Sequence, residues 1–142
     1  MKNKNIDVME HTSEVKFKVR GSSINKVFEN IVIAISDFMA RGEKIKPVLK
    51  KKIKISGEDN ESLLYDFLDE IIYLGDAEGF VVSKAHVKIK GKNLEAELLG
   101  DNTNNYPELD HIKAPTYSEM YVKQKVGKDS KKHWEAVFVL DV

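Results

Sequence analysis

The residues in this sequence with chemical potential are carboxylates, lysines and a few histidines. Asp66 and Glu70 stand four positions apart with Asp69 beside them, so on a helix they share one turn. Paired carboxylates can do acid–base work or hold a hard cation, and the same pattern also makes a solvated helix face. Asp141 precedes Val142, which carries the α-carboxylate in this sequence. Two carboxylates one residue apart repel unless a positive group is near. A lysine, a hard cation with oxygen ligands, or open solvent at a sheet end each answers that repulsion. Lys50, Lys51, Lys52 and Lys54 crowd one strand-like run, where they could touch phosphate or form a wet sheet face.

Other chemistry is excluded or unsupported. There is no cysteine, which removes disulfides, zinc–thiolate sites and thiol nucleophiles. The 4 histidines are scattered and give no ligand cluster. His86 lies two residues from both Lys84 and Lys88 and reads as an exposed strand residue. No Gly-rich phosphate loop, nucleophile elbow or HExxH occurs. With 23 basic and 23 acidic residues the formal net charge is zero, which argues against nucleic-acid binding by bulk electrostatics but leaves a local basic patch open. No apolar run reaches the length of a membrane span, and no signal core follows Met1–Asn5, so a cytoplasmic protein is expected.

The elements that must position these residues follow from periodicity. Leu63, Leu64, Phe67, Leu68, Ile71 and Ile72 form one broad apolar helical stripe, capped by Asp59 or Asn60 and expected to stop at Gly75. A second helix starts at Ser22 or Ser23, carries Val27, Phe28, Ile31 and Ile35, and closes at Arg41–Lys44. Val32 and Ile33 widen its stripe, so it should be the more buried helix. Val15, Phe17 and Val19 alternate with Lys16, Lys18 and Arg20, a strand with one wet face. Strands are also expected over Lys50–Gly57, from Gly79 through Val82, and in a hairpin turning at Gly91-Lys92-Asn93. Gly100–Leu109 reads as a mobile surface loop. Met120–Val126 and His133–Val142 complete the set, the last apolar on both faces and so expected inside a sheet, covered on both sides. The prediction is one α+β domain over residues 1–142, two main helices on a mixed or antiparallel sheet of about seven or eight strands.

Nearly the whole chain resembles the archease family. The resemblance is carried by Glu10-His11-Thr12-Ser13-Glu14, by the helix Leu63–Glu70, and by Glu78-Gly79-Phe80. Lys113-Ala114-Pro115-Thr116-Tyr117 and the terminal Val139-Leu140-Asp141-Val142 complete it. It implies a small cytoplasmic protein, not itself an enzyme, that activates the GTP-dependent RNA ligase of tRNA splicing. Activation would mean promoting guanylylation of the ligase's catalytic histidine, allowing multiple turnover and widening nucleotide usage. It also implies a divalent metal ion, calcium first and magnesium or manganese next, held by Glu14, Asp141 and Val142, with the strand near Glu14 paired to the terminal strand. Lys113 and Asp141 would be needed for activation. Glu14 stands where the family usually has Asp, Ser118 where it usually has His, and Pro115 is atypical. The partner is then the ligase, with RNA contacted only indirectly. Two other readings stand beside it: a small metal-dependent hydrolase using Glu14, Asp141 and His11, and a chaperone-like or RNA-binding module.

Overall fold

The computed structural model describes residues 3–10 and 13–142. Its two α-helices are α1 (Ile24–Ala40) and α2 (Asn60–Glu78). The strands are β1 (Ile6–Glu10), β2 (Glu14–Gly21), β3 (Leu49–Ser56), β4 (Phe80–Lys90), β5 (Asn93–Asn102), β6 (Ala114–Val126) and β7 (Lys132–Asp141). They form two sheets rather than one, ordered β1-β2-β7-β6 and β3-β5-β4, and every pairing is antiparallel. The α+β expectation holds, with seven strands among the described residues.

The helices form where stripes and caps agree. Ser23 accepts from the Lys26 N–H at 3.1 Å and starts α1, which ends at Arg41 in the left-handed region. Asp59 and Ser62 exchange side chain-to-backbone bonds of 2.8 and 3.1 Å, a capping box that starts α2. Gly75 does not stop α2. The helix runs through it to Glu78 and ends at Gly79, whose φ of 62° suits a residue without Cβ. A helical glycine costs about 1 kcal/mol, little enough for the helix to continue one more turn to its left-handed cap at Gly79.

Both helices pack on both sheets. Phe28 of α1 meets Phe67 of α2 with ring centroids 5.3 Å apart, and Phe17 of β2 stacks on Phe138 of β7 at 4.9 Å. All four rings are fully buried. The β4 edge is closed by α1: Glu29 accepts from the Val87 N–H at 2.9 Å and Asn25 from the Ile89 N–H at 3.0 Å. Those donors would otherwise be unpaired at a buried edge.

Two expectations need correction. Gly100–Leu109 is not simply a surface loop. Gly100 to Asn102 finish β5, a short 3₁₀ turn follows, and Tyr106 is buried with its hydroxyl donating to Asp101 at 2.8 Å. Glycine is required at position 100 because a Cβ there would lie 2.0 Å from the Val81 carbonyl oxygen. β7 is interior to its sheet, but only one of its faces is covered by the core elements. Val137 and Val139 on the other face are buried in a sheet row with Lys16, Lys18 and Tyr121 of the adjoining strands.

Candidate functional site

The β2–β7 register places Glu14 directly opposite Asp141. The Val142 N–H donates to the Ser13 carbonyl at 3.0 Å, so 13/142 is the hydrogen-bonded pair and 14/141 the non-hydrogen-bonded one. In that kind of pair the Cα atoms stand only about 4.5 Å apart and the side chains are at their closest. Val15 and Leu140, the neighbours of the two acids, point into the core, so alternation sends both carboxylates to the outer face. The Val142 side chain packs against the core and fixes the strand end beside Asp141.

The other side of β7 brings in Lys113. Ala114 pairs with Asp141, and the Lys113 N–H donates to the Asp141 carbonyl at 2.8 Å. Lys113 itself is exposed. Thus Glu14, Lys113, Asp141 and Val142, far apart in sequence, meet at one corner of the four-stranded sheet.

Among the described residues, Glu14 and Asp141 form no ion pair. Lys16, next along the same face, already holds Glu119 at 2.7 Å. Like charges directly opposite are destabilising, so the corner favours a cation. Its donors are oxygens alone, which suits calcium, magnesium or manganese rather than zinc or copper. No three His, Cys, Asp or Glu side chains cluster among the described residues. Two carboxylate side chains leave most of a calcium shell of 6–8 oxygens to be completed by water, carbonyls or a partner. His11, part of the hydrolase alternative, lies outside the described residues. Asp66 and Asp69 are exposed on α2 with no ion-pair partner among the described residues, the solvated face their spacing allowed.

Next to the corner, β6 bulges: Thr116 faces Val139 and Tyr121 faces Val137, so residues 117–120 oppose a single residue of β7. Glu119 sits in the bulge at φ 57° and reaches Lys16. Tyr117, 60% exposed, stacks on Tyr65 of α2 with centroids 4.2 Å apart. No local pattern in the sequence marks Glu119, because its place depends on the bulge.

A second polar group lies on the same face. Glu135 is 5% exposed and takes Lys125 Nζ at 2.6 Å, the Tyr121 hydroxyl at 2.6 Å and Arg20 Nε at 3.4 Å. Burial pushes its carboxyl up, but the hydrogen bonds from Lys125 and Tyr121 and the Lys125 charge outweigh that and hold it below the ordinary carboxylate range. The signal was present in the sequence: an acid sharing a strand face with Val137 and Val139, well inside the strand that Asp141 ends.

Among the described residues, no helix is long and apolar enough to cross a membrane. A family model described as the Archease protein family (MTH1598/TM1083) matches residues 7–142. Protein archease of Thermococcus kodakarensis is 32% identical over 139 residues, covering 94% of this chain and 95% of that protein. Protein archease of Sulfurisphaera tokodaii is 30% identical over 140 residues, covering 96% and 97%. The solution structure of Methanobacterium thermoautotrophicum protein 1598 superposes with a TM-score of 0.81 at 28% identity, covering 99% of this chain and all of the other. Fold, length and sequence agree from the first strand to the last residue, and the chain belongs to the archease family.

Proposed function

We propose that this chain activates a GTP-dependent tRNA-splicing RNA ligase, promoting guanylylation of the ligase and its multiple turnover and widening its nucleotide usage. As an archease it is an accessory protein, not an enzyme in its own right. The observation that carries the finer reading is the cross-strand pair Glu14–Asp141 with Lys113 bonded to the same β7 residue. Glu14, Asp141 and the Val142 carboxylate would hold a divalent cation, calcium first. When bound, such an ion supplies fixed positive charge beside an otherwise anionic corner.

The chain's own residues do the rest. The β2–β7 pairing sets the backbones of Glu14 and Asp141 opposite each other before any partner arrives, so only their side-chain rotamers are left to be ordered. The Lys113–Asp141 main-chain bond keeps an exposed ammonium stem beside them. Guanylyl transfer gains most of its rate from positioning and electrostatics, and an alternating set of carboxylate and ammonium groups can orient metal or nucleotide at the ligase centre. The contact is with the ligase, and it is transient.

The test is guanylylation of the purified ligase by labelled GTP. Asp141→Ala and Lys113→Ala should abolish or strongly reduce stimulation while remaining folded, with melting temperatures within a few degrees of the wild type. Glu14→Asp should stimulate fully, since it keeps the carboxylate. One residue added after Val142 should impair stimulation by displacing the main-chain carboxylate. Full stimulation by Asp141→Ala would remove this corner from the mechanism.

A further inference from the structure

Lysines that look unremarkable in each strand come together on the outer face of the three-stranded sheet. β5 is the central strand, with β3 and β4 on its flanks. The register lines up Lys50, Leu99 and Lys84 in one row, and Lys52, Glu97 and His86 in the next. Lys54, Glu95 and Lys88 follow, and then Ser56, Asn93 and Lys90. Alternation sends all of these to one side, since Ile53, Val87, Ala96 and Leu98 between them are buried. A chain with zero formal charge therefore carries six lysines against two glutamates on one sheet face.

Their pairing is uneven. Lys50 lies 3.3 Å from Glu97 and Lys54 lies 3.7 Å from Glu95. Lys52, Lys84, Lys88 and Lys90 form no ion pair among the described residues. Lys50, Lys52 and Lys54 of β3, and Lys88 and Lys90 of β4, are two residues apart, roughly 6.8 Å along a strand, comparable to the spacing of phosphates in an extended polynucleotide, and His86 takes the place between Lys84 and Lys88. The columns stand two strands apart, roughly 9.5 Å. A groove of about 360 Å³ between them is lined by Lys52, Lys54, His86 and Lys88, with Glu95 and Glu97 on its floor and Glu29 of α1 at its side, so its basic character comes from the lysine columns flanking it.

We propose that this face docks the phosphate backbone of single-stranded RNA. An acidic protein fits less well, because the face offers no aromatic anchor of the kind protein interfaces rely on, only half-buried Leu99. An anionic membrane fits less well too, because nothing apolar projects from it to insert. The same lack of aromatics predicts binding without base stacking or base readout, sequence-independent and salt-sensitive. Affinity for RNA alone is then weak, in the non-specific range of about 10⁻⁴–10⁻⁶ M. That RNA is the ligase's substrate rests on the activator reading, and there the face would raise the local concentration of RNA beside the ligase. This departs from the expectation that RNA is contacted only indirectly.

The experiment is fluorescence anisotropy of a labelled oligouridylate with the full chain. Four free lysines predict a roughly 50-fold loss of affinity between about 50 and 200 mM salt, from a slope near −0.7 per phosphate. The triple variant Lys84→Ala/Lys88→Ala/Lys90→Ala leaves one, so its salt dependence should fall to roughly threefold and its low-salt binding should collapse. These are exposed positions, and an unchanged melting temperature verifies the fold. A control removing Lys4, Lys44 and Lys128 should bind like the wild type. The triple variant should still stimulate ligase guanylylation in the absence of RNA. No anisotropy change with wild type at low salt, or undiminished binding by the triple variant, overturns the proposal. So does loss of ligase stimulation or of anionic-vesicle binding in a triple variant that still binds RNA, which would assign the face to protein or lipid. RNA binding that depends on these lysines while the wild type leaves the ligase unstimulated supports this surface and overturns only the activator reading.

Discussion

Asp141→Asn should make the metal-free protein more stable and deprive it of the stabilisation that metal confers. Glu14 and Asp141 face each other as a non-hydrogen-bonded pair, with no cation paired to either among the described residues. Directly opposed Cβ atoms in such pairs lie about 4.5–5.5 Å apart. Two unit charges about 5 Å apart repel by about 0.8 kcal/mol in a water-like medium. The exposure of Glu14 justifies that high dielectric. Removing one charge should therefore raise the melting temperature in chelator by a few degrees, since 1 kcal/mol is worth about 2–4 °C in a domain near this size. Adding a divalent cation to ten times its dissociation constant should stabilise the wild type by about 1.4 kcal/mol and leave Asp141→Asn almost unmoved. The two proteins should thus exchange order between chelator and calcium. Near-ultraviolet dichroism reads the melt, with Trp134, partly buried against the core near the start of β7, as the reporter. A wild type unmoved by calcium, magnesium and manganese, alongside an Asp141→Asn protein no more stable in chelator, would refute both the pairing and the cation.

Other outcomes follow from the packing. Phe67→Ala should cost roughly 3–5 kcal/mol in denaturant unfolding, because the ring is fully buried between α1 and the sheets; a loss under about 1 kcal/mol would contradict that burial. Asn25→Ala and Glu29→Ala should each cost about 1–3 kcal/mol by stranding the Ile89 and Val87 N–H groups, and amide exchange at those two residues should quicken. Glu135, Asp101 and Asp110 all have carboxyls held low in the folded state. Their contribution is fully present above the unfolded carboxyl range near pH 4 and is lost as pH falls through the lower folded values. Stability measured by urea at stepped pH should hold from neutrality to about pH 5 and drop below about pH 4. Glu135→Gln should be less stable at neutrality and shallower in its acid loss.

The helices were legible because each satisfies two independent conditions, a 3.6-residue apolar stripe and a side-chain cap: Ser23 for α1 and Asp59 for α2. Endings were less so. Glycine at 75 and glycine at 79 look alike in composition, and only the second adopts a left-handed backbone. Gly100 opens a turn-rich string, yet it belongs to a strand because Val81 passes too close for any side chain. At the site, Asp141 and the α-carboxylate were legible as a charge problem needing a solution. Their meeting with Glu14 and Lys113 was carried by the family resemblance, since strand register over such separations leaves no local trace. Glu119 and the Tyr65–Tyr117 stack were not legible at all, because a four-residue bulge in β6 creates them.

Register also explains why net charge misleads here. Lys50, Lys52 and Lys54 of β3, and Lys84, Lys88 and Lys90 of β4, read strand by strand as ordinary wet faces. Antiparallel pairing through β5 adds the two columns together and puts only Glu95 and Glu97 between them. The same rule at the other sheet sets Glu14 against Asp141 and leaves them without a counter-ion among the described residues. In both places, alternation sends the apolar half of each strand to the core, and what remains outside is sorted by register alone. Whole-chain composition, 23 basic residues against 23 acidic ones, hides both surfaces. A partner arriving at either one meets strong local charge, positive on the three-stranded sheet and negative at the corner of the four-stranded one. Placing the two surfaces on different sheets preserves that contrast, because either one beside the other would neutralise it.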